Sequence, residues 1–204
     1  MLKLFYAAGT CALASRIALE DAGAAFEIVK IDFSKQEQRG PEYLMLNPKG
    51  RVPALSTGKG ILTETPAILA FIAQSYPDAE LAPLDDPFAF AEMQAFNAYL
   101  CSSVHVAHAH GRRGSRWADD AGAIAEMKRK VPETMTAGMQ LIEDGLLKGP
   151  WVMGDIYTVA DPYLFTMSRW LEGDGVDIDA FPRVKDHRDR MSMLESVKRA
   201  LVDE

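Results

Sequence analysis

The sequence predicts an α/β N-terminal half joined to an all-helical C-terminal half. Three observations lead there. Residues 1–77 alternate short apolar runs with helical spacing, in the order β-α-β and then β-β-α. Pro77 to Pro87 hold three prolines and four acidic residues, so residues 78–87 read as a solvated linker. Residues 88–204 show helical patterns alone. The expected domains are therefore 1–77 and 88–204.

Leu2 to Tyr6 is a short apolar strand. Gly9-Thr10 interrupts it, and Cys11 to Asp21 follows with helical spacing at Leu13, Ile17 and Glu20. Gly23 is placed to close that helix, because glycine accepts the left-handed conformation without penalty. Phe26 to Ile31 returns to strand character and completes a β-α-β unit. A single turn is expected from Pro41 to Leu46. Val52 to Ser56 and Gly60 to Leu62 read as a hairpin across Thr57-Gly58-Lys59-Gly60. Thr65 is the expected cap, and Pro66 the first residue, of a helix running to Tyr76. Further helices are expected over Phe88 to Val106, Ala121 to Gly145, Val159 to Leu171 and Arg183 to Val202, the last broken near Met191. Thr158-x-x-Asp161 has the spacing of a capping box, with aspartate in place of the usual glutamate.

Twenty-two basic against twenty-nine acidic residues give a formal net charge of -7. That balance argues against a nucleic-acid or anionic-membrane partner, whose phosphates require a basic face. Two cysteines, Cys11 and Cys101, are too few for a disulfide framework and suit a reducing compartment. Lys3, Leu4 to Ala8 and Ala12-Leu13-Ala14 loosely imitate a signal peptide. The apolar stretch is too short for one, so a cytoplasmic location is expected. No run approaches the roughly eighteen apolar residues of a membrane span.

Cys11 is the most informative residue. It falls in the first turn of the first helix, where unpaired amides and the helix dipole stabilise a thiolate. Its other reading is a small buried hydrophobe. Thr10, Tyr6 and Ser15 are hydroxyls around the same junction. Their plainer roles are a cap, a core-edge aromatic and a solvated helix position. Val52-Pro53 can present an open backbone edge to a peptide. Glu64-Thr65 offers a carboxylate for an amine and helix amides for a carboxylate, or is an ordinary helix start. His105, His108 and His110 lack a third ligand of convincing spacing, so no metal is expected. Arg112, Arg113 and Arg116 read as a solvated loop, Cys101 as core, and Met167 and Trp170 as core or pocket wall.

Taken together, Cys11, the stretch Asn47-Pro48-Lys49-Gly50-Arg51-Val52-Pro53-Ala54-Leu55, Leu62-Thr63-Glu64-Thr65 and Thr158-Val159-Ala160-Asp161-Pro162-Tyr163 resemble a cytosolic glutathione S-transferase. Cys11 and His105 resemble the bacterial beta class more narrowly. The resemblance implies a thioredoxin-like N-terminal domain, glutathione as co-substrate and a homodimer. It implies that Val52, beside a cis Pro53, pairs with the cysteinyl backbone. Glu64 and Thr65 would hold the γ-glutamyl end, Lys35 would reach the glycyl carboxylate, and Cys11 and His105 would flank the sulfur. Tyr6, Tyr163, Met167 and Trp170 would line an apolar pocket, and Asp161 would cap a buried helix. Ala98 stands where the beta class usually shows an asparagine, and Val106 replaces the lysine that often follows the histidine.

The reaction so implied is attack by the glutathione thiolate on a small apolar electrophile. One alternative is a glutathione-dependent thiol-disulfide reductase using Cys11 as redox nucleophile. Another is a non-catalytic binding protein on the same fold.

Overall fold

The computed structural model describes residues 1–202 and 204. Strand β1 (Leu2–Tyr6) organises the N-terminal half, since every other strand joins it directly or through β3. It pairs in parallel with β2 (Phe26–Lys30) and antiparallel with β3 (Ala54–Thr57), which pairs antiparallel with β4 (Gly60–Thr63). The order is β2-β1-β3-β4. Helix α1 (Ala12–Asp21) makes the crossover between β1 and β2. Its residues 12–19 are all buried, because it packs against α3 (Thr65–Ser75) and also against α7 (Ala160–Ser168) and α9 (Glu195–Leu201) of the second half. The small side chains of Ala12, Ala14 and Ala18 permit that enclosure. Gly23, at φ +61°, closes α1 with Ala24 N–H donating to Leu19 O and Gly23 N–H to Glu20 O.

The loop from Asn47 to Pro53 follows α2 (Pro41–Leu46) and is pinned from within. Asn47 Nδ2 and Tyr43 OH both donate to Arg51 O at 2.7 Å. Gly50 sits at φ +59°, and a Cβ there would lie 2.8 Å from Gln38 O, so no larger residue fits. The Val52-Pro53 bond is cis, and β3 begins at Ala54, two residues later than the sequence suggests.

In the second half, α4 (Pro87–Tyr99) runs through a π-helical turn at Leu100–Val104 into α5 (His105–Arg113). The helix expected to stop at Val106 therefore continues for two turns. α6 (Ala121–Leu141) ends in a second π turn, Ile142–Leu146, and α8 (Pro182–Ser192) precedes α9. Asp120 caps α6 and Asp86 caps α4 with their carboxylates. The expected capping box forms around α7: buried Asp161 accepts from Thr158 N (2.7 Å), Thr158 Oγ1 (3.3 Å) and Val152 N (2.8 Å), and meets His187 Nε2 at 3.0 Å. The linker is less solvated than expected. Leu81 is buried and its carbonyl accepts from Val159 N.

Candidate functional site

Two adjoining clefts lie where the C-terminal end of β1, the Asn47–Pro53 loop and the start of α3 face α5. The smaller, of about 120 Å³, is lined by Cys11, Val52, Pro53, Glu64, Thr65, His105 and Tyr163 among others. Six of these were assigned to glutathione or its sulfur from sequence, and Tyr163 to the second pocket. The larger, of about 690 Å³, shares Cys11, Arg51, Val52, His105 and Arg116 and extends past Trp170.

Cys11 is the N-cap residue of α1, preceded by Thr10, whose hydroxyl donates to Ala7 O and accepts from Ala12 N. Its thiol donates to Val52 O at 3.6 Å. Helix position favours a thiolate, but burial dominates: it pushes the Cys11 thiol up to about 11, against the opposing pull of Thr65 and the Arg113 charge. Of the two readings the sequence leaves open, burial favours the buried thiol over the activated thiolate, and Cys11 keeps its proton near neutral pH.

His105 is held neutral. Burial first, then the Arg113 charge, drives its pKa down to about 3. Arg113 Nη2 lies 3.4 Å from His105 Nε2, and since a guanidinium only donates, Nε2 is the acceptor and Nδ1 carries the proton. Arg113 is half-buried on α5 rather than in a solvated loop, and its Nε is buried with no partner among the described residues. The signal that could have found it is helical spacing: His105, Ala109 and Arg113 stand at i, i+4 and i+8, one face of a helix that extends past Val106.

Glu64 occupies φ 73°, ψ 122°, an unfavourable region for any residue with a side chain, at the mouth of α3. Its carboxylate meets Lys49 Nζ at 2.6 Å, and Lys49 also donates to Thr63 Oγ1. Glu64 thereby takes the capping position expected of Thr65. Thr65 becomes the first helical residue, and Pro66 the second.

Other assignments move. Lys35 is exposed, pairs with Asp32 at 3.1 Å and borders neither cleft, whereas Arg39 and Gln38 of the same loop border the larger one. Tyr6 and Met167 are core residues away from both clefts; the Tyr6 ring packs under Arg16 at 5.5 Å. Ser15 is buried, not solvated. Trp170 does border the larger cleft, stacked on His108 with centroids 4.1 Å apart, while His108 Nδ1 donates to Asp174 (2.7 Å). His110 instead packs against Trp117. Cys101, expected in the core, borders the smaller cleft. The larger cleft is of mixed character: five arginines line it beside Phe33, Val52 and Trp170.

Residues 1–74 match the family model described as glutathione S-transferase, N-terminal domain. Glutathione S-transferase GstA of Escherichia coli O157:H7 is 32% identical over 203 residues, covering 98% of this chain and 97% of the relative. A glutathione transferase homologue from Sulfitobacter, solved with bound glutathione, superposes with a TM-score of 0.95 at 45% identity, over 98% of this chain and 96% of that one. A bacterial beta class glutathione S-transferase from Sphingomonas chungbukensis gives a TM-score of 0.86 at 34% identity, over 98% and 96%.

Proposed function

The chain belongs to the glutathione S-transferase family, and on that premise we propose that it is a beta-class enzyme joining glutathione to a small electrophile. One observation carries the reading: a single cleft gathers Cys11, Val52, Glu64, Thr65 and His105, which come from four separate parts of the chain. A binding scaffold has no need to bring all five together.

In this reading the γ-glutamyl ammonium meets Glu64, displacing Lys49 from its carboxylate. The neighbouring α-carboxylate takes the free amides at the start of α3. The cysteinyl backbone runs along Val52. The glycyl carboxylate falls to Arg39, which occupies the place first given to Lys35. The sulfur then lies between Cys11 and His105. The Cys11 S–H turns from Val52 O to that sulfur, His105 offers Nδ1–H, and Arg113 supplies the nearby positive charge. Together these favour the glutathione thiolate over the thiol, which is the step that makes it nucleophilic at neutral pH.

Burial of Cys11 disfavours the alternative of a redox nucleophile, because disulfide exchange requires its thiolate. Cys11→Ala separates the two: conjugation persists in large part under the donor role, and exchange vanishes under the redox role. We take the enzyme to be a cytoplasmic homodimer, consistent with two free cysteines; sedimentation as a monomer at micromolar concentration would overturn the dimer. The primary test is calorimetric titration with reduced glutathione. Saturable binding at one site per chain, weakened by Glu64→Ala, is expected. No binding at millimolar glutathione would sink the proposal.

A further inference from the structure

Five of the twelve arginines of this acidic chain, Arg39, Arg51, Arg112, Arg113 and Arg116, border the larger cleft, and among the described residues no carboxylate side chain is part of its lining, although Glu204 accepts from Gly9 N at its edge. Among the described residues, none of the five forms an ion pair with an aspartate or glutamate. Their crowding is felt within the cluster. Arg116 is lowered to about 10, by burial first and then by the charges of Arg113, Arg51 and Arg39. Such mutual repulsion is relieved by an anion, and guanidinium forks match planar oxyanions.

Glutathione does not account for this charge. Of its two carboxylates, one goes to the start of α3 and one to Arg39, with Arg51 close at the junction of the clefts. Its sulfur uses Arg113. Arg112 and Arg116 are left without an anion. Both line the larger cleft beyond His105, Arg112 on α5 and Arg116 in the single turn Gly114–Arg116; His108 and Trp170 line the same cleft, and Arg116 reaches the smaller one as well.

Resting on the transferase reading, we infer that the second substrate is an anionic electrophile whose carboxylate is received by Arg112 and Arg116 while its reacting carbon lies over the glutathione sulfur. For an aryl chloride the step is balanced simply. The thiol proton leaves to solvent, the S–C bond forms, and the C–Cl bond breaks with chloride taking the electron pair.

The test uses 4-chloro-3,5-dinitrobenzoate and its methyl ester with the intact enzyme, each kcat/KM divided by the uncatalysed rate with glutathione. The carboxylate is expected to be favoured about tenfold or more, the scale of one charge-assisted contact. That preference is expected to shrink toward unity in an Arg112→Gln, Arg116→Gln double variant and with rising salt. Glutathione titrations on the same samples, together with thermal melts, separate a lost anion site from a misfolded chain. Equal normalised rates for acid and ester in an enzyme that binds glutathione would overturn the inference and leave the transferase reading standing. Failure to bind glutathione at all would overturn the transferase reading, and this inference with it.

Discussion

Glycine at position 64 is expected to leave the protein more stable than alanine there, although both substitutions remove the carboxylate proposed to meet glutathione. Glu64 is held at φ 73°, ψ 122°. A side chain in such a sparsely populated region costs about 1–3 kcal/mol, and glycine escapes most of it. Against this, glycine's freedom in the unfolded chain costs about 0.5–1 kcal/mol relative to alanine. Both variants lose the half-exposed ion pair to Lys49, roughly 0–1 kcal/mol, which cancels in the comparison. The net advantage of Glu64→Gly over Glu64→Ala is therefore about 0.5–2 kcal/mol. For a chain of this length that is a Tm higher by about 2–6 °C. Paired thermal melts followed by circular dichroism read it directly, and calorimetry on the same samples is expected to show glutathione affinity reduced in both. An alanine variant melting at or above the glycine variant would refute the claim that the backbone here is strained.

Three further outcomes are expected. The folded state favours the neutral Cys11 thiol, with its pKa raised from 9.0 to about 11, so stability is full below the unfolded value and is lost as pH rises through the folded one. The loss attributable to Cys11 is about 3 kcal/mol. Urea midpoints measured across that window on wild type and Cys11→Ala isolate it, and identical pH slopes would contradict it. Replacing Arg113 with methionine removes a charge that disfavours the His105 imidazolium, so the His105 pKa is expected to rise, though only in part because burial is the larger cause. NMR titration of the ring protons tests the direction. Asp161→Ala strips partners from two buried backbone amides and from His187 and is expected to cost about 3–5 kcal/mol in urea unfolding; a loss under about 1 kcal/mol would show that the cap is dispensable.

Much of the fold was legible because its signals are local. Gly23 closes α1, the Thr57–Gly60 turn joins β3 to β4, and Thr158 with Asp161 opens α7, each by chemistry contained within a few residues. The residues that gather in the smaller cleft, proposed to face glutathione, were legible because their order along the chain resembles a known family. What remained hidden depends on burial and distance. Periodicity alone did not reveal that Cys11 is enclosed enough to keep its proton. Tyr6 and Met167 carry the right chemistry for a pocket wall, but the packing turns them into the core. As a charged cluster in an acidic chain, Arg112 and Arg113 have the look of a solvated loop. They remain helical because α5 continues and packs along α6, with Gly111 near Val131.

The π turn at Leu100–Val104 makes the length of this segment, not only its composition, part of the active site. Closing it into regular α-helix with no residue lost would leave a continuous helix of good propensity, yet everything beyond it would be turned by about 100° relative to α4. His105, His108 and Arg112 would leave the cleft together, while Met93 and Asn97 kept their places. Substitutions within Leu100–Val104 therefore preserve the aim of the cleft-lining face as long as the wide turn survives, and a single-codon deletion that leaves a regular helix preserves it too. In this family member, loss of the wide turn at constant length is the change that resets which face of the helix meets the cleft.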